Sequence, residues 1–268
     1  MTGDERAALY EVRDGVAVIT LNRPAALNAV DAALSTAVGE GLEAAQADDA
    51  VRVVVVTGTG RAFCAGADLK AISAGQDIGA TGHPEWGFAG LVRHWIDKPV
   101  IAAVNGFAMG GGTELALACD LVVAADSARL GLPEVKRGLL AAAGGVVRLQ
   151  RQVALKRALE LALTGEGIDA ETAREWGMVN RVVPAADVLD EALALARTIA
   201  ANAPLSVQES KRALYRAAAA GSDWSGDWTG EDPWAVSDQA MLTVLGSQDA
   251  IEGPIAFAEK REPRWTGR

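Results

Sequence analysis

An α/β fold is what this sequence predicts, on three observations. Apolar, largely β-branched runs recur at residues 51–57, Val100–Val104 and Leu121–Ala125, as strands buried on both faces require. Glycine-rich loops and helical spacings lie between them, so strands and helices alternate along the chain. With 268 residues, half of them hydrophobic and 22% charged, the chain can bury one substantial core, alone or with a smaller appended part.

Taken in order, residues 9–21 read as a hairpin, because Tyr10 and Val12 alternate with polar neighbours, Val16 and Val18 do the same, and Asp14-Gly15 between them accepts positive φ. Asn28 reads as the N-cap of a helix whose apolar face is Val30, Leu34, Val38 and Leu42. The three buried strands follow, the first two each succeeded by a loop and a helical stretch. A shorter strand is expected at 179–183 before Pro184, then helices at 188–201 and 206–220. Gly, Ser and Asp with Trp224 and Trp228 make 221–233 a loop. The organisation predicted is therefore a core over 1–203 and a helical region over 204–268, whose apolar positions need another surface to cover them.

The net charge of −10 opposes general attraction to nucleic acid or anionic lipid. Residues 1–6 lead into polar residues and not into an apolar run, so no secretory leader is expected. The longest apolar stretch, 99–119, is broken by Asn105, several glycines and Glu114, which makes it a poor membrane span. Two cysteines, Cys64 and Cys119, fit a reduced, cytoplasmic setting. His83 and His94 have no metal-ligand spacing, and His94 reads as structural.

Chemistry points to two glutamates. Glu114 lies in Met109-Gly110-Gly111-Gly112-Thr113-Glu114-Leu115 and Glu134 in Gly131-Leu132-Pro133-Glu134-Val135. A carboxylate among Gly, Ala and Leu loses hydration, and its pKa rises toward the range where it trades protons near neutral pH. Most of the 35 acidic residues must be solvated surface. These two differ in their company. Residues 62–69, Ala-Phe-Cys-Ala-Gly-Ala-Asp-Leu, and the triplet Gly110-Gly111-Gly112 each follow a buried strand. The second of these opens a helix, and both offer backbone N–H groups to an oxygen that gains negative charge. Cys64 and Cys119 read as buried fillers, Asp68 as an N-cap, and Trp224, Trp228, Trp234 and Trp265 as helix contacts.

In the order and spacing of residues 62–68, 101–114 and Leu132-Pro133-Glu134 with Gly144-Gly145, the chain resembles the enoyl-CoA hydratase/isomerase superfamily, the crotonases, over nearly its whole length. The resemblance implies a spiral of ββα units followed by a helical trimerisation region. It implies an oxyanion hole made by the N–H groups of Ala67 and Gly111, and hydration of a 2-trans-enoyl-CoA to a 3-hydroxyacyl-CoA. Glu114 would activate the water and Glu134 would supply the proton at C2. The helix start at Gly111 is expected to lower the Glu114 pKa against burial, leaving Glu134 as the donor. Alternatives on the same scaffold are an enoyl-CoA isomerase, another acyl-CoA dehydratase and a non-catalytic acyl-CoA binder.

By the same resemblance no metal or redox cofactor is needed, because coenzyme A arrives with the substrate. Its contacts would be Ala25, Ala26, Leu27, Ala65, Gly66, Asp68, Leu69 and Gly110, with Lys260 as a cation for phosphate; Arg23 and Arg261 are further candidates. Residues 73–95, including Ile78, His83, Trp86 and Phe88, correspond to the acyl-pocket segment. A homotrimer or dimer of trimers would form through Val236, Leu242, Leu245, Ile251, Ile255 and Phe257. Two departures stand out: Ala25 where many hydratases carry Lys or Arg, and Ala141-Ala142-Ala143-Gly144-Gly145 in place of Pro-Gly-Ala-Gly-Gly.

Overall fold

The structure is a computed structural model that describes residues 6–137, 139–219, 242, 243 and 246–268. The expected loop at 221–233, with Trp224 and Trp228, and Trp234, Val236 and Leu245, lie outside the described residues.

Strands β1 (Ala8–Arg13) and β2 (Val16–Leu21) pair antiparallel, with Arg13 opposite Val16. The turn holds Asp14 at φ 49° and Gly15 at φ 76°, two successive left-handed residues whose twist matches that of the strands. Helix α1 (Ala32–Ala47) begins three residues later than Asn28 would place it. Asp31 is its cap, accepting from the Leu34 N–H at 2.9 Å. Asn28 is instead fully buried at φ 56°. Its Oδ1 accepts from the Arg23 N–H at 2.9 Å, and its Nδ2 donates to the carbonyls of Thr59 and Ala62. A capping residue type has been used to hold a distant loop.

From there the chain winds as a spiral. Each turn lays one long strand in a six-stranded sheet, one three-residue strand in a second sheet, and then a helical segment. The turns are β3 (Val53–Gly58), β4 (Ala62–Cys64) and α2 (Leu69–Ser73); then β5 (Val100–Val104), β6 (Phe107–Met109) and α3 (Gly111–Ala118); then β7 (Leu121–Ala125), β8 (Arg129–Gly131) and a 3-10 turn at Pro133–Arg137. The large sheet runs β1-β2-β3-β5-β7-β10, parallel beyond the hairpin. The small one runs β4-β6-β8-β9, with β9 (Gly167–Asp169) antiparallel. β10 (Arg181–Val183) starts two residues after the expected 179, since Val179 is buried in the preceding turn. Val53 to Val56, Ile101 to Val104 and Val123 to Ala125 are almost wholly buried, as a sheet covered on both faces demands.

Helices α4 (Gly145–Gln152), α5 (Leu155–Thr164) and α6 (Ala170–Trp176) follow the third turn. They are succeeded by α7 (Val188–Ala200), α8 (Pro204–Ala219) and, after the undescribed stretch, α9 (Asp249–Glu259). Two compact units result: Met1–Ile96 with Val100–Ala196, and Asp97–Pro99 with Arg197–Arg268. In the second unit Arg212 pairs with Asp97 at 2.7 Å, and the Trp265 indole donates to the Ala201 carbonyl beyond α7 at 2.7 Å. Buried Asp249 takes the N–H groups of Thr266 and Gly267 at 2.6 and 2.9 Å.

Candidate active site

The small sheet gathers the site. Ala62 pairs with Phe107, and Ala108 with Leu130, in parallel register, so the segments leaving β4, β6 and β8 emerge side by side. The first carries Gly66-Ala67, the second Gly110-Gly111 and Glu114, and the third Glu134.

Ala67 is fixed by a bridge to Val30. The Val30 N–H donates to the Gly66 carbonyl at 2.8 Å and the Asp68 N–H to the Val30 carbonyl at 2.9 Å. Along an extended chain, neighbouring N–H groups alternate in direction, so the Ala67 N–H faces away from Val30. It donates to no acceptor among the described residues, and neither does the Gly111 N–H at the start of α3. The two loops touch: at Gly66, φ 92°, a Cβ would stand 3.0 Å from the Gly111 nitrogen and 3.0 Å from the Met109 carbonyl. Only glycine fits both the torsion and the approach. The Thr113 hydroxyl braces the second loop, 2.8 Å from the Ala108 carbonyl and accepting from the Gly131 N–H at 2.8 Å. Two free, preorganised N–H groups against an apolar wall are what an oxyanion needs.

Glu114, on the first turn of α3, is 3% exposed, and its Oε1 accepts from the Gly145 N–H at 2.8 Å. Burial is the main force on it and pushes its pKa up to about 7; the nearby Glu134 carboxylate adds to the rise, while the Gly145 N–H and Arg148 oppose it. Burial also raises Glu134, against its own backbone N–H and Arg137. The expectation that the α3 start would hold Glu114 down is therefore overturned. A helix end exerts a modest field, and removal of the carboxylate from water exceeds it. Glu134 Oε1 lies over Gly110, where a Cβ would come within 2.9 Å of it. Its Oε2 is buried without a hydrogen-bond partner.

The linkage has a sign. Because its folded pKa lies above the ordinary 4.5, Glu114 keeps a proton that the unfolded chain releases. Its contribution to stability is full below about pH 4.5 and is lost as pH rises to about 7, by on the order of 3 kcal/mol. Urea denaturation at pH 5 and pH 8 is expected to show this loss in the wild type and much less of it in Glu114→Gln. Equal losses would mean that Glu114 titrates normally.

The segments expected to meet coenzyme A adjoin one another, since the Ala65 N–H donates to the Leu27 carbonyl at 3.0 Å. Ala25 and Leu69 are exposed, and Ala26, Leu27 and Ala65 half-buried. Asp68 caps α2, accepting from Lys70 and Ala71. Its carboxylate and that of Asp31 each lie 3.0 Å from the Arg23 guanidinium, so Arg23 is neutralised in place and is not a free phosphate ligand. Arg261 is likewise held by Glu252 and Glu259 at 2.6 Å each. Lys260, at φ 54°, is exposed in the second unit. Burial pushes the Cys64 thiol up to about 12, in keeping with a filler. His83 and His94 stack on Trp86, with ring centroids 3.8 and 4.7 Å away. A cavity of about 520 Å³ lies elsewhere, lined by Arg61, Asn105, Phe107, Ser127 and Arg129 among others, at the turns between the two sheets.

Sequence reasoning missed Thr113, Arg148 and the contact between Phe88 and Gly111. A Cβ on Gly111 would approach the Phe88 ring to 2.5 Å. No spacing in the sequence announces a side chain that reaches its partner across 23 residues.

Comparison with known proteins gives the family. The profile of the family described as enoyl-CoA hydratase/isomerase matches residues 11–268. The chain is 42% identical over 266 residues to a carnitinyl-CoA dehydratase of Proteus mirabilis, covering 96% of this chain and 97% of that protein. The crystal structure of an enoyl-CoA hydratase from Mycobacterium tuberculosis is similar with a TM-score of 0.91 at 44% identity, over 98% of this chain and 100% of that one. The structure of a carnitinyl-CoA hydratase from Mycobacterium avium gives a TM-score of 0.78 at 55% identity, over 99% and 100%. The chain belongs to the enoyl-CoA hydratase/isomerase family, has the crotonase fold, and is an enzyme.

Proposed function

We propose, from that membership, that the enzyme is a hydro-lyase that adds water across the C2=C3 bond of a 2-trans-enoyl-CoA and catalyses the reverse dehydration. One observation carries this reading: a buried Glu114 and a half-buried Glu134, both with raised pKa values, converge beside two unused backbone N–H groups. The thioester oxygen accepts from Ala67 and Gly111. Glu114, anchored by Gly145, takes a proton from water as its oxygen bonds to C3. The electron pair of the double bond moves onto the thioester as an enolate, which the two N–H groups stabilise. Its collapse takes a proton at C2 from Glu134. Two interacting carboxylates titrate as a pair, one acid and one base near neutrality. An isomerase needs only one carboxylate, to carry a proton between C2 and C4, so the presence of both favours water addition. The steps use no metal or redox group, and coenzyme A enters with the substrate.

Similarity to proteins named carnitinyl-CoA dehydratase supports a second reading, in which the acyl group is carnitinyl and dehydration is the working direction. Incubation with crotonyl-CoA is expected to bleach the enoyl absorbance and to yield a product heavier by one water. Incubation with carnitinyl-CoA would develop that absorbance if the second reading holds. Failure of both reactions sinks the hydro-lyase assignment.

We further place the enzyme in the cytoplasm as a homotrimer or dimer of trimers. Among the described residues no helix is long and apolar enough to cross a membrane. Leu242, Ile251 and Ile255 are exposed, the first two at 64% and 65%, which supports a covering subunit; a monomer in sedimentation would count against it.

A further inference from the structure

Helix α4 begins at the residue whose N–H anchors Glu114, and two side chains on one of its faces fix where it begins. The Arg148 guanidinium donates to the Val92 carbonyl. Four residues on, one turn along the same face, Gln152 Nε2 donates to the Leu117 carbonyl near the end of α3 at 3.0 Å. Leu149, beside Arg148 in the chain, is 1% exposed. The Val92 N–H in turn donates to the Phe88 carbonyl at 3.2 Å, and the Phe88 ring stands where a Cβ on Gly111 would go. Arg148 therefore links the turn that holds Glu114 to the turn that backs the oxyanion hole. Its Nη1 stands where a Cβ on Gly144 would go, one residue before the Gly145 N–H that Glu114 Oε1 accepts at 2.8 Å. A cation near the start of a helix faces the wrong end of its dipole, so helix stability alone does not place Arg148 there.

We propose that Arg148 is a positioning residue for water activation, holding the Gly144-Gly145 turn against Glu114 and keeping that carboxylate charged. The inference rests on the reading of Glu114 as the group that takes a proton from water. A base acts only in its ionised form. Among the described residues, the charged groups acting on Glu114 are Glu134, from the turn after β8, and Arg148, from α4. The first favours the protonated carboxyl and the second the carboxylate, as do the N–H groups of Gly145 and Ala143. With the Glu114 pKa already pushed up to about 7 by burial, loss of that cation moves it further up. At neutral pH a larger share of the enzyme then holds Glu114 protonated and unable to accept from water.

Two measurements test this, and the first needs no turnover. Infrared titration follows the protonated-carboxyl band that Glu114→Gln removes. Its midpoint is expected to lie about half to one pH unit above the wild type in Arg148→Met, and within about 0.3 of the wild type in Arg148→Lys, because the lysine keeps the charge. In hydration of crotonyl-CoA near neutral pH, Arg148→Met is expected to lose about tenfold in kcat with KM within about threefold, and the acid limb of its pH–rate profile to move up with the band. In a Glu114→Gln background the same substitution is expected to cost less than about twofold, since the group it positions is already gone. An unmoved midpoint in Arg148→Met, or a Lys variant that titrates like the Met variant, would overturn the proposal, as would a fall in kcat undiminished in the Glu114→Gln background. Arg148→Gln serves the same comparison if Arg148→Met does not fold. Absent turnover of crotonyl-CoA and carnitinyl-CoA by the wild type, with the midpoint shift preserved, would sink the hydro-lyase reading while leaving the hold of Arg148 on Glu114 in place.

Discussion

Glu134→Gln is expected to lower kcat for hydration by about a thousandfold, within the range that positioned proton transfer supplies, and to leave the affinity for butyryl-CoA within a few-fold. The substitution keeps volume and planarity, so what it removes is the transferable proton. Glu134 Oε2 is buried and unpartnered; a carboxyl in that state gains its hydrogen bond when a reacting carbon or oxygen arrives. Glu114→Gln is expected to cost a similar factor, although its amide oxygen can still accept from Gly145, because a neutral amide takes no proton from water. The double variant is expected to be little worse than either single one, since the two act as a unit. Roles within the pair separate in deuterium oxide. Exchange at C2 of butyryl-CoA needs only the group facing C2, so it is expected to survive in Glu114→Gln and to vanish in Glu134→Gln. Survival in Glu134→Gln with loss in Glu114→Gln would exchange the two assignments.

The parts of this site that the sequence announces are those where composition alone restricts the physics. Val100–Val104 and Leu121–Ala125 end where their apolar runs end, because a strand covered on both faces takes a polar residue only where, as at Thr57, a backbone carbonyl satisfies it. The glycines at 66 and 110–112 and both glutamates were legible for a similar reason, being residue types with few other uses in apolar stretches. What was hidden is the small sheet. Its strands are three residues each, too short to show a period, yet their register brings Ala67, Gly111 and Glu134 together. The Asn28 expectation failed because a cap was inferred from residue type, while tertiary partners, the carbonyls of Thr59 and Ala62, had already claimed its amide; Arg23 is likewise engaged, by Asp31 and Asp68. The Glu114 pKa failed because burial sets its direction, while the Gly145 N–H, Glu134 and Arg148, which act on it across long sequence separations, carry no signal in the sequence.

Alanine at Gly112 and at Gly111 is expected to impair the oxyanion hole by different routes. At Gly112 a Cβ would overlap the carbonyl oxygen of Cys64. That atom belongs to the backbone of β4, three residues before Ala67, and it cannot rotate aside. Relief requires α3 and β4 to part, which separates the two N–H donors. A loss of about 2–3 kcal/mol in stability, as overpacking of a close contact produces, is expected together with a roughly hundredfold fall in kcat/KM, the effect of withdrawing one donor. At Gly111 the obstruction is mainly the Phe88 ring, 2.5 Å from the Cβ position, with the Gly66 Cα less severely placed at 3.2 Å. A ring can be removed by mutation where a carbonyl cannot. Adding Phe88→Ala is therefore expected to restore at least about tenfold of the activity lost in Gly111→Ala, and none of that lost in Gly112→Ala, measured as kcat/KM with crotonyl-CoA. Rescue of both by the same substitution would mean that the loops part as one body; rescue of neither would mean that Phe88 is not what Gly111 accommodates.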